Sequence, residues 1–306
     1  MCGICGVVAI DGLLDPLVRA SVPAMNGTLS HRGPDGDGFF SDASAALGHR
    51  RLAIIDRERG AQPLSNEDGR VWIVFNGEIY NHRELRRTLQ AHGHVFRTAS
   101  DTEAIVHAYE QFGPACVEKL EGMFAFAIYD QRRRELLLAR DRIGKKPLFY
   151  AMFGGALHFA SEIKALRESP AWDGTIDSAQ IEGYLALGYV LAPHTIYRSV
   201  KKLEPGHYLR LSDGRITISK YWDVTSFDDD ERPERELLQA VDAALDENVR
   251  DRLESEVPLG AFLSGGIDSG LVVSAMSKVL GPELLTCSVG FDDKAHNELD
   301  AAQLTA

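Results

Sequence analysis

Met1-Cys2-Gly3-Ile4-Cys5-Gly6-Val7-Val8-Ala9-Ile10 places a thiol directly behind the initiator methionine and ahead of 7–10, a β-branched run of strand character. Methionine is removed most readily before small residues, and cysteine is small. Cys2 would then carry a free α-amine beside its own thiol. With an ordinary pKa of about 7.7–8.0, that amine is partly unprotonated near neutrality and can accept the thiol proton. One residue thus supplies nucleophile and base. Position alone fits a chance cysteine in a first strand equally well, so the assignment rests on what accompanies it.

Outward from this segment, short apolar runs alternate with turn signals. Residues 52–55, 71–75, 123–129, 135–139 and 157–160 read as further strands. Residues 82–91, with Leu85 and Leu89 on one face, and 102–111, with Ile105, Val106 and Tyr109, have helical period. Strands outnumbering helices at hairpin-like spacing predict antiparallel sheets with packed helices, an α+β domain.

Past Tyr221-Trp222 the pattern changes. Residues 226–235 are acidic and read as a solvated linker. Residues 234–253 repeat Leu237, Leu238, Val241, Leu245, Val249 and Leu253 at helical period. The apolar run 257–263, Ser264-Gly265-Gly266, a helix over 268–279 and the run 284–289 form a β-loop-α-β unit, expected to be parallel and covered on both faces. The boundary between the two parts is expected near residues 213–235.

The length of 306 residues fits about two domains. Thirty-three Lys and Arg against 45 Asp and Glu give a net charge of −12, which lacks the footprint of a non-specific nucleic-acid binder. Four cysteines (Cys2, Cys5, Cys116, Cys287) are too few for a disulfide scaffold. No uncharged apolar run approaches the roughly 18 residues of a membrane span, and no basic segment precedes an apolar one at the start. These features predict a cytoplasmic enzyme without nucleic-acid or membrane partners.

Two groups of residues carry chemistry. Arg51, the run Asn76-Gly77-Glu78, and Asp101 each stand at an element end. Singly they read as a solvated charge, a hairpin turn and a helix N-cap. Together they match an amino-acid amide. Arg51 offers a fork for an α-carboxylate. Asp101 and Glu78 offer acceptors for an α-ammonium, and Asn76 with the Gly77 N–H offers two donors for an oxyanion. The second group is Leu263-Ser264-Gly265-Gly266-Ile267-Asp268-Ser269. Its glycines let backbone N–H groups approach an anion where a helix begins. It has no lysine at the position a Walker-type loop requires. Alone, it could be a glycine turn between strand and helix.

With both groups in place, the sequence resembles the glutamine-hydrolysing asparagine synthetases along nearly all its length. The resemblance is carried by Met-Cys-Gly-Ile-Cys-Gly, His31-Arg32-Gly33-Pro34-Asp35, Arg51-Leu52-Ala53-Ile54-Ile55-Asp56, Gln62-Pro63-Leu64 and Asn76-Gly77-Glu78-Ile79-Tyr80-Asn81. Ser100-Asp101-Thr102-Glu103, residues 122–127, Arg140-Asp141-Arg142-Ile143-Gly144 and residues 161–166 continue it. The resemblance implies a four-layer α-β-β-α sandwich of the N-terminal-nucleophile type over residues 2–213. Residues 235–306 would be the N-terminal part of an α/β parallel-sheet ATP-binding domain, left incomplete at Ala306. By motif match Cys2 would be the nucleophile, with Arg51, Asn76, Gly77, Glu78 and Asp101 binding glutamine. Leu263 and Val289 would contact adenosine; Ser264, Gly265, Gly266, Asp268 and Ser269 would hold the pyrophosphate of ATP, and Asp268 would reach Mg²⁺. The family reaction activates aspartate as aspartyl-AMP and lets ammonia displace AMP; a homodimer is also implied.

The loop departs from the family where Ile267 and Gly270 replace the usual Leu and Ser. Residues 188–190, 193–197, 202–203 and 205–207 also look like asparagine-synthetase-like proteins of bacterial surface-polysaccharide clusters. A related amidotransferase with another acceptor and a fragment with glutaminase activity alone are therefore the competing readings.

Overall fold

Along Gly122–Asp130, odd and even residues face different cores. Phe124, Phe126 and Ile128 pack with helix residues Leu85, Leu89, Ile105 and Tyr109. Ala125, Ala127 and Tyr129 pack instead with Ile4, Val8, Leu47 and Phe159 from other strands. A period of two between two different buried partners is the signature of a strand inside a layered sandwich.

The computed structural model describes residues 1–224, 230–293 and 297–306. The chain divides into two compact units, Met1–Val224 and Thr225–Ala306. In the first unit the elements run β1 (Gly3–Ala9), α1 (Pro16–Ala20), α2 (Val22–Gly27), β2 (Gly36–Ser41), β3 (Ala45–Arg51), β4 (Leu64–Ser65), β5 (Val71–Ile79), α3 (His82–Ala91) and α4 (Asp101–Phe112). A 3-10 turn (Gly113–Lys119) follows. Then come β6 (Gly122–Asp130), β7 (Glu135–Arg140), β8 (Phe149–Phe153), β9 (Ala156–Ala160), α5 (Ile163–Leu166), α6 (Ala179–Leu187), β10 (Val200–Lys202), β11 (His207–Ser212) and β12 (Arg215–Lys220).

One six-stranded sheet has the order β10-β8-β9-β1-β3-β2 and the other β12-β11-β7-β6-β5-β4. The strand pairings within both are antiparallel. The inner faces share one core. The outer face of the first sheet, through Cys5, Val7 and Ala46, packs on Val18, Val22, Met25 and Leu166 from α1, α2 and α5. The outer face of the second packs on α3 and α4. Helix, sheet, sheet, helix is the four-layer sandwich expected from the sequence. Gly6 leaves room for the ring of its cross-strand neighbour Phe159, which a Cβ there would meet at 2.6 Å.

The strand expected over 52–55 does not form. The strand in that region is β3, which stops at Arg51. Arg51 itself folds the following segment, donating Nη1 to Arg57 O (3.0 Å) and Nη2 to Asp56 O (2.6 Å) and Ile55 O (3.4 Å). The Ala53 N–H goes to Asp35 Oδ2 at 2.8 Å. An apolar run whose backbone is claimed by side chains cannot join a ladder.

The second unit contains α7 (Glu234–Asp251), β13 (Gly260–Phe262), α8 (Ile267–Leu280), a 3-10 turn (Gly281–Glu283), β14 (Leu285–Cys287) and α9 (Leu299–Thr305). β13 and β14 pair in parallel, Gly260 with Leu285 and Phe262 with Cys287. The acidic stretch 226–235 lies partly outside the described residues. Coverage of this sheet on both faces is not found. Phe262 and Leu285 are 81% and 60% exposed, because the buried residues Val249, Val273, Ala275, Met276 and Ala302 of α7, α8 and α9 collect on the side of Ala261.

Candidate active site

A pocket of about 160 Å³ is lined by Cys2, Arg51, Asn76, Gly77, Glu78 and Asp101, together with Gln62, Thr102 and Lys146 among others. All the residues expected to handle glutamine therefore meet in one place. Cys2 enters from the start of β1. Its Sγ lies 3.6 Å from Leu52 O, and it accepts the Leu52 N–H at 3.4 Å. Its own carbonyl accepts from Arg32 Nε at 2.9 Å. Burial pushes the Cys2 thiol up, opposed by the Leu52 N–H, the chain amine and Arg51. In the chain with Met1 in place the amine belongs to Met1, and burial lowers its pKa.

β5 supplies the donors. Asn76 is 1% exposed, and among the described residues none accepts from its Nδ2. On the open edge of β5, Phe75 N–H donates to Gln62 Oε1 at 2.7 Å and Ile79 N–H donates to Asp101 Oδ2 at 3.0 Å. The two-residue period puts the Gly77 N–H on that edge between them. A Cβ at Gly77 would lie 2.1 Å from Met123 O, so only glycine lets β5 and β6 close here. Asp101 begins α4 behind the Ser100 N-cap. Burial raises its pKa, against the Ile79 N–H and His82. Arg51 reaches the pocket with most of its Nη protons already on the loop carbonyls, leaving Nε and one Nη1 proton for a ligand.

Sequence reading missed several residues here. Gln62 was quoted only as a motif, yet it braces β5 and also donates to Thr102 Oγ1 at 3.2 Å. His49 is fully buried, and burial drives its pKa down to about 3. It is therefore neutral, with Nε2 3.1 Å from Phe75 O, tying β3 to β5. Lys146, only 5% exposed, lines the pocket, and burial lowers its pKa. Its place just after Gly144, in a motif already quoted, was the available signal.

In the second unit, Leu263, Ser264, Ser269 and Val289 line a separate cavity of about 330 Å³; Gly265, Gly266 and Asp268 do not. The loop closes on itself, with Ser264 Oγ 2.9 Å from Ser269 Oγ and Gly266 N–H donating to Ser264 Oγ at 3.2 Å. Helix α8 begins at Ile267 without a side-chain cap, leaving first-turn N–H groups open to an anion. Phe291 and Glu298, not singled out from sequence, line the same cavity.

Residues 1–222 match the glutamine amidotransferase domain family, and residues 240–306 match the asparagine synthase family. Asparagine synthetase (glutamine-hydrolyzing) 1 of Bacillus subtilis is 42% identical over 308 residues, covering 100% of this chain and 48% of the relative. Asparagine synthetase (glutamine-hydrolyzing) 3 of the same organism is 38% identical, covering 90% and 45%. The chain spans about half the length of these curated relatives. Among solved structures, the B. subtilis glutamine phosphoribosylpyrophosphate amidotransferase aligns with a TM-score of 0.52 at 19% identity, covering 94% of this chain and 65% of that one. That likeness is one of fold. Residues 1–222, the four-layer sandwich with its pocket, are a glutamine amidotransferase domain. The chain belongs to the family of glutamine-hydrolysing asparagine synthetases.

Proposed function

We propose that the chain hydrolyses glutamine at Cys2 and that the full-length protein transfers the ammonia to aspartate. The observation that carries this reading is the convergence of Cys2, Arg51, Asn76, Gly77, Glu78 and Asp101 on one pocket. After removal of Met1, the α-amine of Cys2 takes the Sγ proton as sulfur bonds to the side-chain amide carbon. The oxyanion faces Asn76 Nδ2 and the Gly77 N–H. Collapse breaks the carbon–nitrogen bond, the amine returns its proton to the departing ammonia, and water hydrolyses the thioester to glutamate. The Arg51 guanidinium holds the α-carboxylate through a proton that the loop carbonyls leave free, and Asp101 and Glu78 receive the α-ammonium.

For the second half, ATP activates aspartate as aspartyl-AMP, and ammonia displaces AMP. Leu263 and Val289 face adenosine, while residues 264–269 hold the phosphates at the start of α8. Asp268 stands exposed in the first turn of α8. It is a single hard-oxygen donor of the kind Mg²⁺ shares with phosphate oxygens, so Mg²⁺ fits there as the ion carried by ATP. Among the described residues no helix is long and apolar enough to cross a membrane. A cytoplasmic homodimer working on glutamine, aspartate and ATP is the setting we infer. Likeness to asparagine synthetases over all or nine-tenths of this chain supports aspartate over another acceptor.

The test incubates the chain with glutamine, aspartate, ATP and Mg²⁺, and measures glutamate, AMP and asparagine separately. Glutamate release abolished by Cys2→Ala, with the fold retained, is the expected result. Glutamate release at the wild-type rate in Cys2→Ala, or Met1 retained in active protein, overturns the Cys2 assignment. The second half is tested in the full-length protein, where asparagine and AMP should form in equal amounts.

A further inference from the structure

Three separate segments of the first unit bring imidazoles and carboxylates together away from the glutamine pocket. Glu67 comes from the turn after β4, His94 from the loop after α3, and His107 with Glu110 from α4. One ligand atom from each of Glu67, His94 and His107 lies within 4.8 Å of the others. Glu110 Oε2 is 3.0 Å from His107 Nδ1 and 3.8 Å from His94 Nδ1, and Glu67 Oε2 is 3.8 Å from His107 Nδ1. Nitrogen and oxygen ligands about 2.0–2.1 Å from a tetrahedral metal stand about 3.3 Å apart, so these separations bracket the edge of such a site.

The outer contacts of His94, Glu67 and Glu110 are arranged as a metal requires. His94 Nε2 is 3.3 Å from Gln111 Oε1, so it donates there and leaves the Nδ1 lone pair inward. His107 Nδ1 faces Glu110 Oε2 at 3.0 Å, while its Nε2 has Glu103 Oε1 at 3.7 Å, beyond hydrogen-bond distance, and no partner among the described residues. Glu67 Oε1 accepts the Val95 N–H at 3.1 Å and Glu110 Oε1 accepts from Asn66 Nδ2 at 2.5 Å, which fixes Oε2 of each toward the centre. An imidazole whose second nitrogen meets a carbonyl or carboxylate is the usual support of a metal ligand. Three carboxylates surround the pair of imidazoles. The nearby guanidinium groups point elsewhere, Arg86 to Thr98 O and Ser100 O and Arg97 to Glu67 O. His107 is fully buried, while Glu67, His94 and Glu110 keep a path to solvent.

We propose that Glu67, His94, His107 and Glu110 form a binding site for a zinc-class divalent transition metal. Two imidazoles with two carboxylates in tetrahedral spacing suit zinc and its cobalt substitute. The site is independent of the glutamine chemistry. It would pin α4, whose first residue, Asp101, lies about 9 Å back along the helix axis from His107.

The probe is Co²⁺, added to the 306-residue chain carrying Cys2→Ala and Cys287→Ser, so that accessible thiols do not compete. One equivalent should bind with the visible absorption of a tetrahedral nitrogen–oxygen complex, and Zn²⁺ should displace it. His94→Gln and Glu110→Gln should each weaken binding at least tenfold, and Gln111→Leu by about 10–100-fold. His107 is avoided because its burial makes misfolding an alternative explanation. Failure to bind Co²⁺ at millimolar concentration overturns the proposal, leaving a proton between His107 Nδ1 and Glu110 Oε2 as the only occupant. Binding unchanged in both His94→Gln and Glu110→Gln overturns it equally.

Discussion

Arg32 Nε donates to the carbonyl oxygen of Cys2 at 2.9 Å while its Nη1 donates to Glu162 Oε1 at 2.8 Å, so one guanidinium links the Cys2 backbone to the N-cap of α5. The Arg32 side chain is 9% exposed, which makes the link rigid. Removing it frees the backbone of Cys2, the residue before β1, without touching the thiol. Arg32→Ala should lower kcat for glutamine hydrolysis roughly 10²-fold, the scale of a 1 Å misplacement, and leave KM nearly unchanged. Steady-state kinetics decide this; an unaltered kcat would remove Arg32 from the positioning of Cys2.

The same link gives stability a pH dependence. Burial alone would raise the Glu162 pKa, but Arg32, Lys164 and His31 overcome it and bring it down to about 2. A depressed carboxylate stabilises the fold above its ordinary value of 4.5, and that contribution disappears as pH falls from 4.5 through about 2. Denaturant unfolding of the wild type and Glu162→Gln should therefore differ at pH 7 and converge by about pH 2. A gap that widens on acidification would contradict the pairing.

Gly77→Ala should be more damaging than its single methyl group suggests. The added Cβ would lie 2.1 Å from Met123 O in the neighbouring strand, a backbone atom that cannot swing aside. Parting β5 from β6 should cost about 1–3 kcal/mol and displace the N–H proposed for the oxyanion. Thermal unfolding and glutaminase assays read the two effects separately. A fully active, fully stable variant would show that the strands accommodate the methyl.

Asn76→Ala should reduce kcat for glutamine hydrolysis by roughly 10²–10³-fold, the usual effect of deleting one oxyanion donor. Circular dichroism should be unchanged, since among the described residues nothing accepts from Asn76 Nδ2. A loss confined to KM would assign Asn76 to ground-state binding.

Amide exchange should be faster in the second unit than in β1, β5 and β6. Its two core clusters contain three fully buried apolar residues each, against far larger clusters in the sandwich. Mass-resolved hydrogen exchange checks this directly. Equal protection of α8 and β6 would refute it.

Much of this arrangement was legible in the residues themselves. The helix over 82–91 was readable because Leu85 and Leu89 repeat at helical period. Strand spacing pointed to antiparallel sheets with packed helices and the family resemblance to four layers; in the structure β6 is apolar on both faces, and both are covered. Where side chains overrode the backbone, the sequence misled. Residues 52–55 look like a strand, but Arg51 and Asp35 capture their neighbourhood into a turn. The strands of the second unit look fully buried, yet apolar content alone does not say how many neighbours a sheet has. In the pocket, the charged and amide residues announced themselves through motifs. The roles of Gln62, His49 and Lys146 were not legible, Gln62's even within its motif, because they depend on contacts across 13 to 26 residues or across layers.

The donor on Asn76 also bears on why such a domain is no more stable than it is. Among the described residues Nδ2 has no protein acceptor, and a buried donor left unpaired costs about 1–3 kcal/mol. An incoming oxygen recovers that energy on contact. The favourable part of its binding was thus set aside when the chain folded. A leucine at this position would relieve the penalty and leave a sturdier, silent protein. In the proposed mechanism, one of the interior's unpartnered donors is also the donor that meets the oxyanion.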